Sequence, residues 1–257
     1  MKAKDYQFFQ QNGYLSLGKI LTEEELEFYL RFYDQDRDQK EQFWFDYGHH
    51  HQTANYDVLA STPEFDGLIR HPKVIQPLSD LMGDEMCFSE IGIRHMVAYA
   101  GEPRHCVWHR DGDVQGGKHL MEHPLWIRNV QLMVYLSDVN ETTHCFSISP
   151  ESVGQPVLER EAQLEHRGIH NLYGQAGAAI LFNFSVLHTA TVRVTKSERK
   201  TAQIYYGHRN RPYMANDSLI PVDLWRDHLD EEVRAFYGVL NDKTRKYLEL
   251  GVRRNTH

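Results

Sequence analysis

Along this chain the apolar residues first recur at helical spacing and, past residue 86, at the alternating spacing of strands. A short helical turn through Phe8 and Phe9 is closed by Gly13 ahead of a strand at residues 14–17. Thr22 and Glu25 have capping-box spacing, Glu23 and Glu24 suit the positive end of a helix dipole, and Leu26, Tyr29, Leu30 and Tyr33 continue along one face. Residues 34–60 are polar, aromatic and irregular, and read as a surface loop or lid. The run His49-His50-His51 lies within them, and three adjacent side chains point in different directions, so they cannot converge on one ion. Pro63 and Pro72 suit first helical positions, the second helix carrying Val74, Ile75, Leu78 and Leu81 inward and stopping before Gly83.

From there strands are expected over residues 86–99, 106–108, 126–136, 145–148, 178–184, 188–194 and 201–206. Short strands with turn residues between them, and helices gathered at the N-terminus, predict a mainly β protein with helical cover, a β-sandwich or barrel. Within 126–136, Trp126, Val130, Leu132, Val134 and Leu136 share one face, interrupted by Arg128. Ile127, Asn129, Gln131, Met133 and Tyr135 share the other, a mixed face that either lines a cavity or meets solvent. Residues 155–175, with Glu159, Glu161 and Glu165 on a short helix or loop, read as a solvated insertion. The tail from Pro212 is helical and charged, with Val233, Phe236, Tyr237 and Leu240 on a packing face. A single domain is expected: a helical part to about residue 85, a β core over about 86–210 and a helical tail over about 211–257.

Composition narrows the function class. The 257 residues carry 25% charged side chains and a formal net charge of −8, and phosphate binding needs a basic face, so nucleic acid is not an expected partner. No apolar run is long enough to cross a membrane and the N-terminus lacks a signal-peptide core, so no membrane role is expected. Cys87, Cys106 and Cys145 are too few and too scattered for a disulfide framework, which points to a reducing, cytoplasmic setting. A small-molecule substrate remains as the expected partner, with no signal for an oligomeric state.

The segment Trp108-His109-Arg110-Asp111-Gly112-Asp113 offers an imidazole and a carboxylate two residues apart, where a strand runs into a turn. With a second imidazole from elsewhere they make two His and one carboxylate on one face of an octahedron, the set that suits non-haem Fe(II). His-x-Asp alone is a weak signal, and it recurs at His228 and Asp230 in a helical stretch of the tail, which is set aside. His188 ends the apolar run 178–184 and its turn, where a buried ring needs a polar partner or a metal.

The order of these parts resembles the phytanoyl-CoA dioxygenase family of Fe(II)- and 2-oxoglutarate-dependent oxygenases. The likeness runs from Phe9, Gly13 and Tyr14 and the Leu21-Thr22-x-Glu24-Glu25 helix, through Trp108-His109-x-Asp111 and Tyr135-Leu136-Ser137-Asp138, to His188 and Arg199. His188 follows Asp111 by 77 residues and Arg199 follows His188 by 11, as the family's pattern has it. The resemblance implies a double-stranded β-helix, a jelly-roll or cupin-like core, with helices on one face. It implies His109, Asp111 and His188 as iron ligands, and Arg199 as the partner of the 2-oxoglutarate C5 carboxylate, with Thr201 on the same strand face. By the same likeness Gln131 and Asn129 fall near the cosubstrate. Arg94, Trp108, Arg110 and Asp113 are candidate contacts to substrate or cosubstrate, with a surface position also open for Arg94 and a solvent-facing one for Arg110 and Asp113. Fe(II), 2-oxoglutarate and O2 are the implied cofactor and cosubstrates, with hydroxylation of a small molecule as the default outcome. Where relatives have Glu-Asn-Gly and Pro-Gly-Ser-His, this chain has Thr142-Thr143-His144 and Ser149-Pro150-Glu151-Ser152. Those departures leave the substrate unassigned. Two readings from other classes stay open: a cupin-like metal-dependent hydrolase or isomerase, and a non-catalytic β-sandwich binding protein.

Overall fold

The alternation of residues 129–136 resolves into strand β6, Val130–Tyr135, and all six of its residues are buried. Its mixed face therefore does not meet solvent; it turns into the space between two sheets. The computed structural model describes residues 1–46, 52–111, 129–153, 157–210 and 215–254. Thus Asp113, Trp126, Ile127, Arg128 and His49-His50-His51 lie outside the described residues.

Eleven strands are described: β1 (Tyr14–Lys19), β2 (Phe45–Asp46), β3 (Gln52–Asn55), β4 (Met86–Met96), β5 (Arg104–His105), β6, β7 (Cys145–Ser149), β8 (His170–Leu172), β9 (Ala178–Asn183), β10 (Leu187–Val192) and β11 (Arg199–His208). The larger sheet has the order β1-β9-β6-β11-β4-β3-β2 and the smaller β5-β10-β7-β8, with antiparallel neighbours throughout. The two form a jelly-roll without barrel closure.

The central strands β9, β6, β11 and β4 of the larger sheet bury both faces, for different reasons. Val130, Leu132 and Val134 of β6, Ile91 and Ile93 of β4, and Ala202, Ile204 and Tyr206 of β11 pack under the helices with Tyr33, Phe65, Leu78 and Phe236. At about 1.5 to 3 kcal/mol per buried large side chain, this layer supplies most of the drive to fold. The helix Glu23–Gln39 begins at the anticipated capping box, with Thr22 and Glu25 exchanging both hydrogen bonds. Gly13 closes the helix Ala3–Asn12 at a φ of 73°. On the opposite face Met133 and Tyr135, with Ile180 and Phe182 of β9, meet Cys145, Phe146 and Ile148 of the smaller sheet.

The structure corrects several sequence expectations. Residues 34–60 are only partly loop: the helix runs on to Gln39, and β3 joins the edge of β4 because Ala54 and Asn55 are buried there. The stretch 106–108 is not a strand. The strand expected over 201–206 starts two residues earlier, at Arg199, and runs on to His208. The segment expected to be a solvated insertion carries the helix Arg160–Arg167, whose Gln163 is buried and donates to Ser149 Oγ and the Pro150 carbonyl at 3.1 and 2.8 Å. It also carries β8, too short and polar to be seen from alternation.

Candidate active site

The stretch 104–109 runs antiparallel to β10, but with a break in step. His105 pairs with Thr191, whereas His109 pairs with His188, so four steps on one side face three on the other. One residue must bulge, and a bulge re-aims the side chains that follow it. Val107, 61% exposed, is thrown outward. Beyond it His109 and His188 exchange both backbone hydrogen bonds, at 3.1 and 3.0 Å, and their rings lie 4.3 Å apart.

Both imidazoles are oriented the same way. His109 Nδ1 lies 2.9 Å from the Val107 carbonyl, and His188 Nδ1 lies 2.9 Å from the Val186 carbonyl. A carbonyl only accepts, so each Nδ1 carries the proton and each Nε2 presents a lone pair. Those Nε2 atoms lie 3.4 and 3.8 Å from Asp111 Oδ1. The three ligand atoms fall within 4.8 Å of one another, and among the described residues they are the one such group of three or more. The rival pair is structural: Asp230 caps the helix Glu231–Tyr237 through Glu232 N–H at 2.9 Å, and its own N–H donates to His228 Nδ1 at 3.1 Å.

Electrostatics favour a cation at this point. Burial pushes His188 down to about 4 against the pull of Asp111, so it is a neutral ligand at neutral pH. Burial would raise the Asp111 carboxyl, yet the electrostatic pull of the His188 and His109 imidazoles and the Gln131 amide hold it below its usual range. Gln131 donates to Asp111 Oδ2. Its own Oε1 accepts from Gln203 Nε2 at 2.6 Å, and that nitrogen also reaches Tyr205 Oη at 3.0 Å. The alternation on β6 and β11 puts these amides on the inner face.

Farther along that face of β11 stands Arg199, 3% exposed, with Nε and Nη1 buried and lacking hydrogen-bond partners; Thr201 Oγ1, two residues on, is in the same condition. Burial, with the charge of Arg94 adding to it, lowers the Arg199 guanidinium from its ordinary value. A buried, unpaired guanidinium is costly, and a carboxylate is the group its planar fork matches.

Other residues singled out in the sequence fall as follows. Gln131 spends its amide on Asp111 and Gln203, which places it behind a ligand. Asn129 is buried with Oδ1 lacking a partner. Arg94 lies on the inner face of β4, opposite Thr201, and donates to Tyr56 Oη at 2.8 Å. Trp108 is buried, its ring 5.5 Å from that of His105. Arg110 faces neither the pocket nor solvent: it is buried against Glu151, with Nη2 to Oε1 at 2.6 Å, because a guanidinium excluded from water needs a charged partner.

Two contributors were missed. Gln203 was legible, since it continues the every-second-residue series from Arg199 and Thr201. Glu151 was not, because its setting comes from a distant part of the chain.

The chain is similar to known proteins in both sequence and shape. The sequence profile described as phytanoyl-CoA dioxygenase matches residues 9–201. No curated protein matches. EctD from S. alaskensis, in a structure with 2-oxoglutarate and 5-hydroxyectoine, is 18% identical over 91% of this chain and 86% of that one, with a TM-score of 0.69. The epimerase SnoN, with Fe3+, alpha ketoglutarate and nogalamycin RO, is 13% identical over 93% and 96% of the two chains, with a TM-score of 0.69. HygX from Streptomyces hygroscopicus, with nickel, 2-oxoglutarate and hygromycin B, is 17% identical over 90% and 95%, with a TM-score of 0.63. At these identities the solved structures establish a shared fold.

Proposed function

Within the phytanoyl-CoA dioxygenase family, to which this chain belongs, we propose that His109, Asp111 and His188 hold the iron and that Arg199 and Thr201 hold the distal carboxylate of 2-oxoglutarate. The enzyme is an Fe(II)- and 2-oxoglutarate-dependent dioxygenase. When bound, iron and 2-oxoglutarate would activate O2, one oxygen atom entering succinate as the keto acid releases CO2 and the other being left to oxidise a small-molecule substrate.

The chain's own residues do the positioning. Val107 and Val186 carbonyls hold the two imidazoles with Nε2 turned inward. Gln131 and Gln203 steady Asp111. Arg199 stays buried and charged so that a dianionic keto acid is anchored at one end while its other end is left for the metal. Hydroxylation is the outcome we favour, the triad being complete and no ligand position being vacated. All parts of the chain act as one domain in this reading, supported by β1 and β3, which bring N-terminal segments into the larger sheet. Three free cysteines support a reducing, cytoplasmic setting.

The observation that carries the reading is Arg199. A water-activating hydrolase needs the triad but has no use for a buried guanidinium with unpartnered nitrogens on the same inner face. Anaerobic addition of Fe(II) and then 2-oxoglutarate tests it through the weak visible absorption of a keto acid chelating iron. The band is expected in wild type, strongly weakened in Arg199→Ala and lost in His188→Ala. Absence of a band at saturating iron and keto acid would overturn the assignment of these residues.

A further inference from the structure

Unpartnered polar atoms on the inner face of the larger sheet are sorted by chemistry. Toward the Arg199 end they are donors: Arg199 Nε and Nη1, with the Thr201 hydroxyl beside them. Toward the Tyr205 end they are oxygens: Gln203 Oε1 accepts only, and Glu90 Oε2 accepts as a carboxylate or as the carbonyl oxygen of the protonated acid.

The acceptor character of Gln203 follows from the triad. Asp111 as a carboxylate only accepts, so Gln131 must turn its NH2 toward it. Gln131 Oε1 then faces β11 and takes the NH2 of Gln203 at 2.6 Å, leaving Gln203 Oε1 buried and unmatched. Glu90 lies directly across the ladder from Tyr205, and Gly92 directly across from Gln203. Glu90 and Gln203 are therefore diagonal neighbours on one face, about 7 to 8 Å apart at Cα. Both are nearly sealed from solvent, at 3% and 1% exposure. Between Glu90 and Arg94 the strand has no side chain at Gly92, and the ring of Tyr56 lies over the gap, 2.8 Å from where a Cβ would stand. They thus sit beside an aromatic wall, Gln203 one strand and Glu90 two strands removed from Gln131, which steadies Asp111.

We propose that Glu90 and the Gln203 side-chain carbonyl bind the substrate, and that the substrate is a small polar molecule presenting hydroxyl or amino hydrogen-bond donors to them. The proposal rests on the assignment of Asp111 as a metal ligand and Arg199 as the cosubstrate anchor, since those roles fix the direction of the amide relay and fill the donor end. Buried acceptors of this kind discriminate strongly, because an analogue without the donor leaves them unpaired in a dry site. Hydroxyl and amine share the chemistry, and the test separates them.

The experiment uses the full chain loaded anaerobically with Fe(II) and 2-oxoglutarate. A library of small alcohols, polyols and amines is screened by saturation-transfer NMR, each member beside a donor-free counterpart, the methyl ether or the trimethylammonium. Wild type is expected to bind donor-bearing members and to lose at least tenfold in affinity for their methylated counterparts. Glu90→Leu is expected to lose a similar factor for the donor-bearing members, and Glu90→Gln to lose amines more than alcohols. Thermal unfolding of each variant checks folding, and the wild-type comparison stands without any variant. Donor-free members binding as well as their parents, no donor-bearing member binding at all, or unchanged affinity in a folded Glu90→Leu would each overturn the proposal. Formation of the keto-acid complex is read separately in the same samples, so failure of the site assignment shows as loss of that complex in wild type.

Discussion

Arg110 and Glu151, 41 residues apart in sequence, form a buried ion pair with three contacts, Nη2–Oε1 at 2.6 Å and Nε to the two carboxylate oxygens at 3.2 and 3.0 Å. Glu151 Oε2 also accepts from the Leu187 N–H at 2.5 Å. Arg110 adjoins His109 and Leu187 adjoins His188. One carboxylate therefore ties together the segments that carry both imidazoles.

Glu151→Ala removes the carboxylate that the buried Arg110 guanidinium grips through three contacts, leaving the Leu158 carbonyl contact, which should cost about 3 kcal/mol. Urea unfolding of the apo-protein should show this loss, together with weaker Fe(II) binding as the two segments loosen. The double variant Arg110→Met with Glu151→Met should lose less than Glu151→Ala alone. An equal or larger loss in the double variant would mean that the pair itself, and not the orphaned charge, carries the stability.

Arg199→Met should move two properties in opposite directions. Replacing an unpaired buried charge by an apolar chain of similar length should raise the melting temperature of the apo-protein. The same change removes two charge-assisted hydrogen bonds to the keto acid, about 3 kcal/mol or more and so a loss of roughly a hundredfold or more in 2-oxoglutarate affinity. Calorimetric titration alongside thermal unfolding reads both, and a variant that is destabilised while still binding the keto acid would contradict the assigned role.

Gln131→Leu keeps the shape of β6 but removes the donor to Asp111 and releases Gln203. Residues that orient metal ligands typically contribute 10- to 100-fold to affinity, and a fall of about that size in Fe(II) affinity is expected with little change in melting temperature. Competition with a chromophoric chelator measures it. Unchanged affinity would make the amide relay a packing feature only.

The Glu90 carboxyl gives a pH signature. Burial, with Asp217 and Asp111 adding to it and Arg94 and Lys243 opposing, pushes it up to about 8. A carboxyl raised from its ordinary value of 4.5 holds its proton in the folded state where the unfolded chain has lost it. Its contribution is full below the unfolded value and is lost as pH rises through about 8. The apo-protein should therefore lose up to about 4 kcal/mol over that window relative to Glu90→Leu, in which this slope is absent. Parallel urea-unfolding curves for the two proteins between pH 5 and 8 would remove the basis for a buried, unpartnered carboxyl.

By itself the sequence determined the local structure and the identity of the chemistry. Capping at Thr22 and Glu25, closure at Gly13 and the helix after His71 depend on residues a few positions apart, and such spacing is readable in one dimension. The triad and Arg199 were readable because two motifs and their separation are written along the chain. Periodicity also gave the two faces of β6, but not which medium each would meet; burial on both sides was decided when the second sheet closed over Met133 and Tyr135. What only the tertiary structure decided is pairing across long distances. Arg110 looked like a pocket or surface residue until Glu151 met it, and Glu90 was one more position in a strand until β11 set Tyr205 opposite. The one-residue bulge before His109 likewise exists only relative to β10. A side chain's partner in a dry interior is fixed by register between strands, and a single-residue shift there reverses which face every side chain takes.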